Sequence, residues 1–334
     1  AMLNNFWITN PNSTHQSTQT AALINQSLYG IAKIPLLDRL DLNGGFRHQT
    51  QSASTYDDNL TSTYASNNDK NASKTYSANA GDVALNYNYS KNQKVFVKWD
   101  QSYRFPNLDE FWGMDANWNR VFNGILRPQT TQSYQLGTNW ALGQVNLNGV
   151  VFTSISQNEI RYDPSTGKNF NSESYVNRRG VNFDGSTNLT NALSVAAGGN
   201  VQKSYFANGL YAGNAVALSP DLLLNARANY MIDSNWSFGG VVNYVGNQHY
   251  EAGLNKYSSL AVMPSYTVAD VYLNYVMKSF EAKFAIKNVG NASYATWGGY
   301  STGLTQLGGG LGTNYYYYPS DGRTYFITGR YTFN

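Results

Sequence analysis

Apolar and polar residues alternate along most of this chain. Between Val83 and Tyr89, Val83, Leu85, Tyr87 and Tyr89 interleave with Ala84, Asn86 and Asn88. Between Gln144 and Ile155, Val145, Leu147, Gly149, Val151 and Ile155 share one face, opposite Asn146, Asn148 and Ser154. Near the C-terminus, Val271, Leu273, Tyr275 and Met277 oppose Asp270, Tyr272 and Asn274. Next, Phe280, Ala282, Phe284 and Ile286 oppose Glu281, Lys283 and Lys287. The last segment sets Tyr325, Ile327, Tyr331 and Phe333 against Thr328, Arg330 and Thr332. A period of two predicts strands, and helical spacing fits none of these segments. The polar face carries whole charges at Arg47, Lys98, Asp100, Arg227, Asp270, Lys283, Lys287 and Arg330.

A soluble sandwich with an apolar inside and a charged outside would alternate in the same way. The connections separate the two cases. Thirteen predicted strands are joined by short turns near 35–38, 90–93, 142–144, 190–192, 233–235 and 278–279. Long connections near 50–75, 104–130, 161–173, 204–220, 247–264 and 289–323 fall between them. Short turns at one rim and long loops at the other mark an antiparallel, all-β outer-membrane barrel. Trp99, Trp140, Trp236, Tyr244 and Tyr331 are predicted near strand ends, where an interfacial girdle needs them. Counted back from the C-terminus, the first strand (about 18–33) runs inward from outside, so residues 1–17 are expected to end an extracellular loop. Asn4 to Asn10 could add one short strand. Thirteen strands with an external N-terminus are expected to be the C-terminal part of a larger transmembrane barrel spanning 18–334.

Composition sharpens this picture. Only 13% of residues are charged, while aromatics reach 15%, with 27 Tyr and 7 Trp. No apolar run approaches the roughly 20 residues of a membrane helix. A net charge of +3 is too small to predict a nucleic-acid partner. The absence of cysteine removes disulfides and thiolate chemistry. His15, His48 and His249 lie far apart, so no metal site is predicted. No Gly-x-Ser-x-Gly elbow is present, so no catalytic residues and no enzyme are predicted. Gly308 to Gly310 and Gly312 lack the strand and helix of a phosphate loop and read as surface loop. The polar stretch Ser52 to Lys74 likewise reads as a mobile loop.

Four segments carry a family resemblance. Tyr103-Arg104-Phe105-Pro106-Asn107-Leu108-Asp109-Glu110-Phe111 is the first. Leu126-Arg127-Pro128-Gln129-Thr130, followed by Ser133-Tyr134-Gln135-Leu136-Gly137, is the second. The third is Pro264-Ser265-Tyr266-Thr267 with Asp270 and then Lys287-Asn288-Val289-Gly290-Asn291-Ala292-Ser293-Tyr294. The fourth is Tyr318-Pro319, Gly322-Arg323 and Tyr331-Thr332-Phe333. In this order and spacing they resemble the C-terminal barrel of a TonB-dependent outer-membrane receptor. Gln129 and Gln135 stand where that family usually has glutamates, and Asn334 follows its usual terminal aromatic. The resemblance implies a 22-stranded barrel around an N-terminal plug, with the plug, its TonB-contacting segment and about nine strands outside this chain. It implies active uptake of a scarce nutrient, with a ferric siderophore foremost, energised by the TonB complex and surrounded by bacterial outer-membrane lipid. No cofactor is implied. Free haem is disfavoured, because no histidine lies between Phe105 and Pro128. A passive porin-like channel and a structural or adhesive barrel remain the alternatives.

For ligand contacts, the 104–130 loop sets aromatics beside charges. Arg104, Pro106, Leu108 and Glu110 are expected to fold it against the rim, with Arg104 also a candidate ligand contact. Trp112, Trp118 and Arg120 are the stronger candidates. Tyr315, Tyr316, Tyr317 and Tyr318 could offer phenol donors, with alternation aiming half of them inward. Lys283, Lys287, Arg330, Asp270 and Glu281 are expected to pair with one another or with the plug.

Overall fold

The computed structural model describes residues 19–57, 71–114, 120–122, 126–163, 168–250, 262–302 and 313–333. The chain opens with β1 (Gln19–Leu37), β2 (Leu40–Asp57), β3 (Asn71–Ser90) and β4 (Gln93–Arg104). A 3-10 turn at Asp109–Phe111 leads into the short strands β5 (Trp112–Met114) and β6 (Arg120–Phe122). Next come β7 (Gln129–Leu142), β8 (Val145–Gln157), β9 (Ile160–Asp163), β10 (Lys168–Asn171), β11 (Val176–Asn188) and β12 (Leu193–Phe206). The remainder is β13 (Leu222–Met231), β14 (Trp236–Val245), β15 (Gln248–His249), β16 (Val262–Met263), β17 (Tyr266–Met277), β18 (Phe280–Lys287), β19 (Ala295–Thr302), β20 (Thr313–Pro319) and β21 (Thr324–Tyr331).

Thirteen of these strands form one antiparallel sheet in the order β1-β2-β3-β4-β7-β8-β11-β12-β13-β14-β17-β18-β21. The predicted strand number and antiparallel topology therefore hold. The other strands pair locally as hairpins β5–β6, β9–β10, β15–β16 and β19–β20, all on long-loop connections. At the opposite rim the turns are tight. Gly143 (φ 59°) and Lys278 (φ 50°) take the left-handed backbone that two-residue connections demand.

Register turns the alternation into two surfaces. Phe238 stands opposite Leu273, Leu273 opposite Phe284, and Phe284 opposite Ile327. This apolar row faces outward. One residue along, Ser237, Asn274, Lys283 and Thr328 form the matching polar row, which faces the interior. Leu136, Val97 and Val151 are all more than half exposed on the outward face, which is what lipid contact requires of a sheet. The interior face is smoothed by large rings over glycines. The Phe96 ring lies over Gly137 and the Tyr272 ring over Gly239, so close that a Cβ at either glycine would overlap the ring.

Some expectations change. Ser52–Asp57 and Asn71–Lys74 are strand, not loop, with pairing that reaches Tyr56 opposite Asn71. Backbone hydrogen bonds continue the ladder after the hydrophobic alternation has stopped. Trp99 lies in the middle of β4 rather than near its end. Of the five interior charges expected to pair (Lys283, Lys287, Arg330, Asp270 and Glu281), Arg330 and Glu281 form an ion pair with each other, at 3.7 Å, and elsewhere on the interior face Lys98 pairs with Asp100 at 3.5 Å. Lys283 and Lys287 lie over the Tyr272 and Phe326 rings, and Asp270 accepts the Asn288 backbone N–H at 2.9 Å. Residues 1–17, His15 and Gly308 to Gly312 lie outside the described residues.

Candidate functional site

The long-loop rim is organised by three local devices. The first is the segment after β4. Arg104 donates from Nη1 to both carboxylate oxygens of Glu110, at 2.8 and 2.9 Å, and the Asn107 backbone N–H reaches Glu110 Oε2 at 2.7 Å. Phe105 and Phe111 are buried against Tyr76 and Ala53, with ring centroids 5.9 and 6.3 Å from Tyr76. This motif therefore folds its own loop, and Arg104 is part of that fold. The loop then forms the β5–β6 hairpin, in which Trp112 pairs with Phe122 and Arg120 with Met114. Trp118 lies outside the described residues.

The second device is ionic, and no local pattern in the sequence marks it. Glu159 is buried just past β8. Arg178 reaches its Oε1 at 2.5 Å and Arg161 its Oε2 at 3.0 Å. Burial alone would raise the Glu159 carboxyl, but the two guanidinium groups outweigh it and hold the carboxyl below the ordinary glutamate range. Arg161 also lies over the Phe206 ring at 5.1 Å, and Phe206 is fully buried with Val176 and Val216. Among the described residues, no group of His, Asp and Glu has a metal-binding arrangement.

The third device is aromatic. In the β19–β20 hairpin, Tyr315 to Tyr318 pair with Tyr300, Gly299, Gly298 and Trp297. Strand alternation sorts the four tyrosines onto two faces. Tyr316 and Tyr318 pack on Trp297, at 5.5 and 5.1 Å. Tyr315 packs on Tyr250 at 4.7 Å. Burial, then the neighbouring Tyr317 and Tyr315 phenols, push the Tyr250 hydroxyl up, so it stays a neutral donor. Gly298 and Gly299 make room for this, since a Cβ there would meet the Tyr250 ring at 2.7 Å and the Tyr316 ring at 2.6 Å. Trp297 and Tyr250 escape sequence reasoning, because their partners are set by pairing across the loop rather than by local spacing.

A curved antiparallel wall with an apolar outside, a charged inside and built-up loops on one rim defines an outer-membrane β-barrel. The sequence profile described as "TonB dependent receptor-like, beta-barrel" matches residues 2–289, and the chain belongs to that family. It is 23% identical over 313 residues to the probable TonB-dependent siderophore receptor PiuA of Acinetobacter baumannii, covering 81% of this chain and 41% of PiuA. It is 21% identical over 241 residues to the ferrioxamine receptor of Yersinia enterocolitica, covering 66% of this chain and 31% of that receptor. Among solved structures it resembles the ferric yersiniabactin uptake receptor FyuA of Yersinia pestis. The TM-score is 0.70 at 21% identity, over 95% of this chain and 47% of FyuA. The chain thus spans less than half the length of these relatives. The protein is placed in the bacterial outer membrane, in a family of transport receptors rather than enzymes.

Proposed function

We propose that this barrel portion serves active uptake of a ferric siderophore across the outer membrane, energised through the TonB complex. The observation that carries the reading is the cluster of aromatic rings on the β19–β20 hairpin beside the long loops, within a wall of the receptor family. Ferric chelates present oxygen-rich and often anionic surfaces. Tyrosine hydroxyls and arginine supply donors for them, and flat rings supply contact area at modest entropy cost. The proposed ligand contacts are Trp112, Trp118, Arg120 and the Tyr315 to Tyr318 run, with Arg104 positioning the first loop. Ligand would bind among loops and plug, and TonB would pull on the plug, with no covalent step.

The test uses the full-length receptor and a panel of ferric siderophores, read by tryptophan fluorescence quenching or calorimetry. The double substitution Trp118→Ala with Arg120→Ala should weaken binding by about 1–3 kcal/mol, as loss of desolvated anchors does. Affinity within twofold of the parent, both for that variant and for a Tyr316→Ala/Tyr318→Ala pair, would remove these loops from the site. Saturable uptake that persists after the proton gradient is collapsed would refute the energised mechanism.

A further inference from the structure

Register exposes an exception on the outer wall. Wherever a charged residue sits on the thirteen wall strands, its parity places it on the interior face, except at Arg179 and Lys203. On β11, Arg179 shares the outward parity of Val181 and Phe183. On β12, Lys203 shares that of Val201. The two cations are direct cross-strand partners, Arg179 opposite Lys203, and both lie on the outward face. Like charges directly opposed on one face of a sheet destabilise it. Among the described residues no carboxylate forms an ion pair with either. Arg179 instead rests over the outward Tyr205 ring at 5.6 Å.

Their height on the wall is informative. Between the short-turn rim and Lys203, the outward residues of β12 are Leu193, Val195, Ala197, Gly199 and Val201, all apolar. The ten residue steps from Leu193 to Lys203, at roughly 3.3 Å each and a tilt near 40°, climb about 25 Å. That is the height of a barrel's apolar band, so the cations stand at its outer edge, level with the headgroups of the external leaflet. Below them the outer wall has a depression of about 1090 Å³ with an apolar lining that includes Leu147, Phe183, Val195, Ala197, Tyr230 and Phe238.

We propose that Arg179 and Lys203 form a binding site for a phosphate group of an outer-leaflet glycolipid, whose acyl chains descend over Val181, Val201 and Phe183. Guanidinium and ammonium side by side suit a phosphate, and a fixed anion removes the repulsion between them. The proposal depends on the barrel's place in the membrane and not on what the receptor transports.

The test titrates the full-length receptor in non-ionic detergent with diphosphorylated lipid A, its dephosphorylated counterpart and inorganic phosphate, read by native mass spectrometry. Dephosphorylation should weaken binding at least tenfold, and R179Q/K203Q should do the same for the diphosphorylated form. The charge-preserving R179K/K203R should retain binding, and inorganic phosphate should not compete at equal concentration. Ferric siderophore binding should stay unchanged throughout, which separates this proposal from the transport reading. Binding of R179Q/K203Q within twofold of the parent, or equal binding of the dephosphorylated lipid, would overturn it. Tight binding of inorganic phosphate lost in R179Q/K203Q would assign the pair to a free ion instead. Should R179Q/K203Q fail a heat-modified mobility check for folding, the phosphorylated and dephosphorylated arms on the parent receptor decide the matter.

Discussion

The lower wall and the crown of loops above it draw on the same polar-rich alphabet, but they are held together differently. In the lower wall, each outward position meets lipid, so Phe238, Leu273, Phe284 and Ile327 line up across four strands. Higher up, β2 and β3 keep pairing through Ser52 to Tyr56 and Asn71 to Thr75 with no apolar row on the outward face, while Ala53 packs inward against the loop. Contacts there are specific and local, such as Ser52 Oγ to Thr75 Oγ1 at 3.1 Å, the Glu159 ion cluster and the Trp297 ring stack. Lipid enforces a repeating pattern, whereas the crown depends on individual partnerships.

The sharpest way to break this contrast is Leu273→Arg. It places a charge in the apolar band and should cost about 2–4 kcal/mol, measured by denaturant titration in micelles. Asn274→Arg points inward, gives up one 3.2 Å hydrogen bond to Ser237 and should cost about 1 kcal/mol. A larger cost for Asn274→Arg would reverse the two faces.

Glu159→Gln should come next. It strands two arginines, one of them partly exposed, and should loosen the 158–175 segment by about 2 kcal/mol. Because its carboxyl is held below the ordinary value, the ionised form stabilises fully above that value of 4.5 and its effect fades as pH falls through the lowered one. Limited proteolysis of this segment should therefore accelerate below pH 4.5 in the parent and show no such step in Glu159→Gln.

Trp297→Ala removes the ring on which Tyr316 and Tyr318 both pack. Each of these stacks should contribute about 0.5–1.5 kcal/mol of local stability, with the wall unaffected. Hydrogen exchange in the β19–β20 hairpin would report it, and equal protection in parent and variant would show that the stack is not holding the hairpin. The smallest effect belongs to Ser54→Lys, on the outward face of β2 above the apolar band. It should stay within about 0.5 kcal/mol of the parent in the same denaturant titration. A cost near that of Leu273→Arg would mean that lipid reaches far higher than the pattern indicates.

These differences explain what can be read from the chain alone. The faces of β8, β17, β18 and β21 are legible because a period of two is the direct imprint of lipid on one side. The Arg104–Glu110 pair is legible as a fold element because the partners are six residues apart within one motif. Upper β2 and β3 pass for loop because serine, threonine and asparagine carry no periodic signal, although their backbones pair as well as any others. Glu159 with Arg178, and Trp297 with Tyr318, are invisible because register across separate strands creates them. Of the proposed ligand residues, Tyr315 to Tyr318 stand out as a run. Their division onto two faces, with Tyr250 and Trp297 as partners, requires the hairpin.

The glycines beneath the interior rings bear on how wide a passage this wall allows. Phe96 and Tyr272 lie flat against the wall because Gly137 and Gly239 leave them nothing to climb over. One added methyl at either position would tip an aromatic ring toward the axis, taking clearance from whatever must travel through. On the proposed transport reading, these two absent side chains would leave room for passing cargo. Gly137→Ala and Gly239→Ala should throttle the full-length receptor's uptake of bulky cargo while leaving cargo affinity at the loops intact. Unchanged uptake rates in both variants would show that the rings can fold away along the wall.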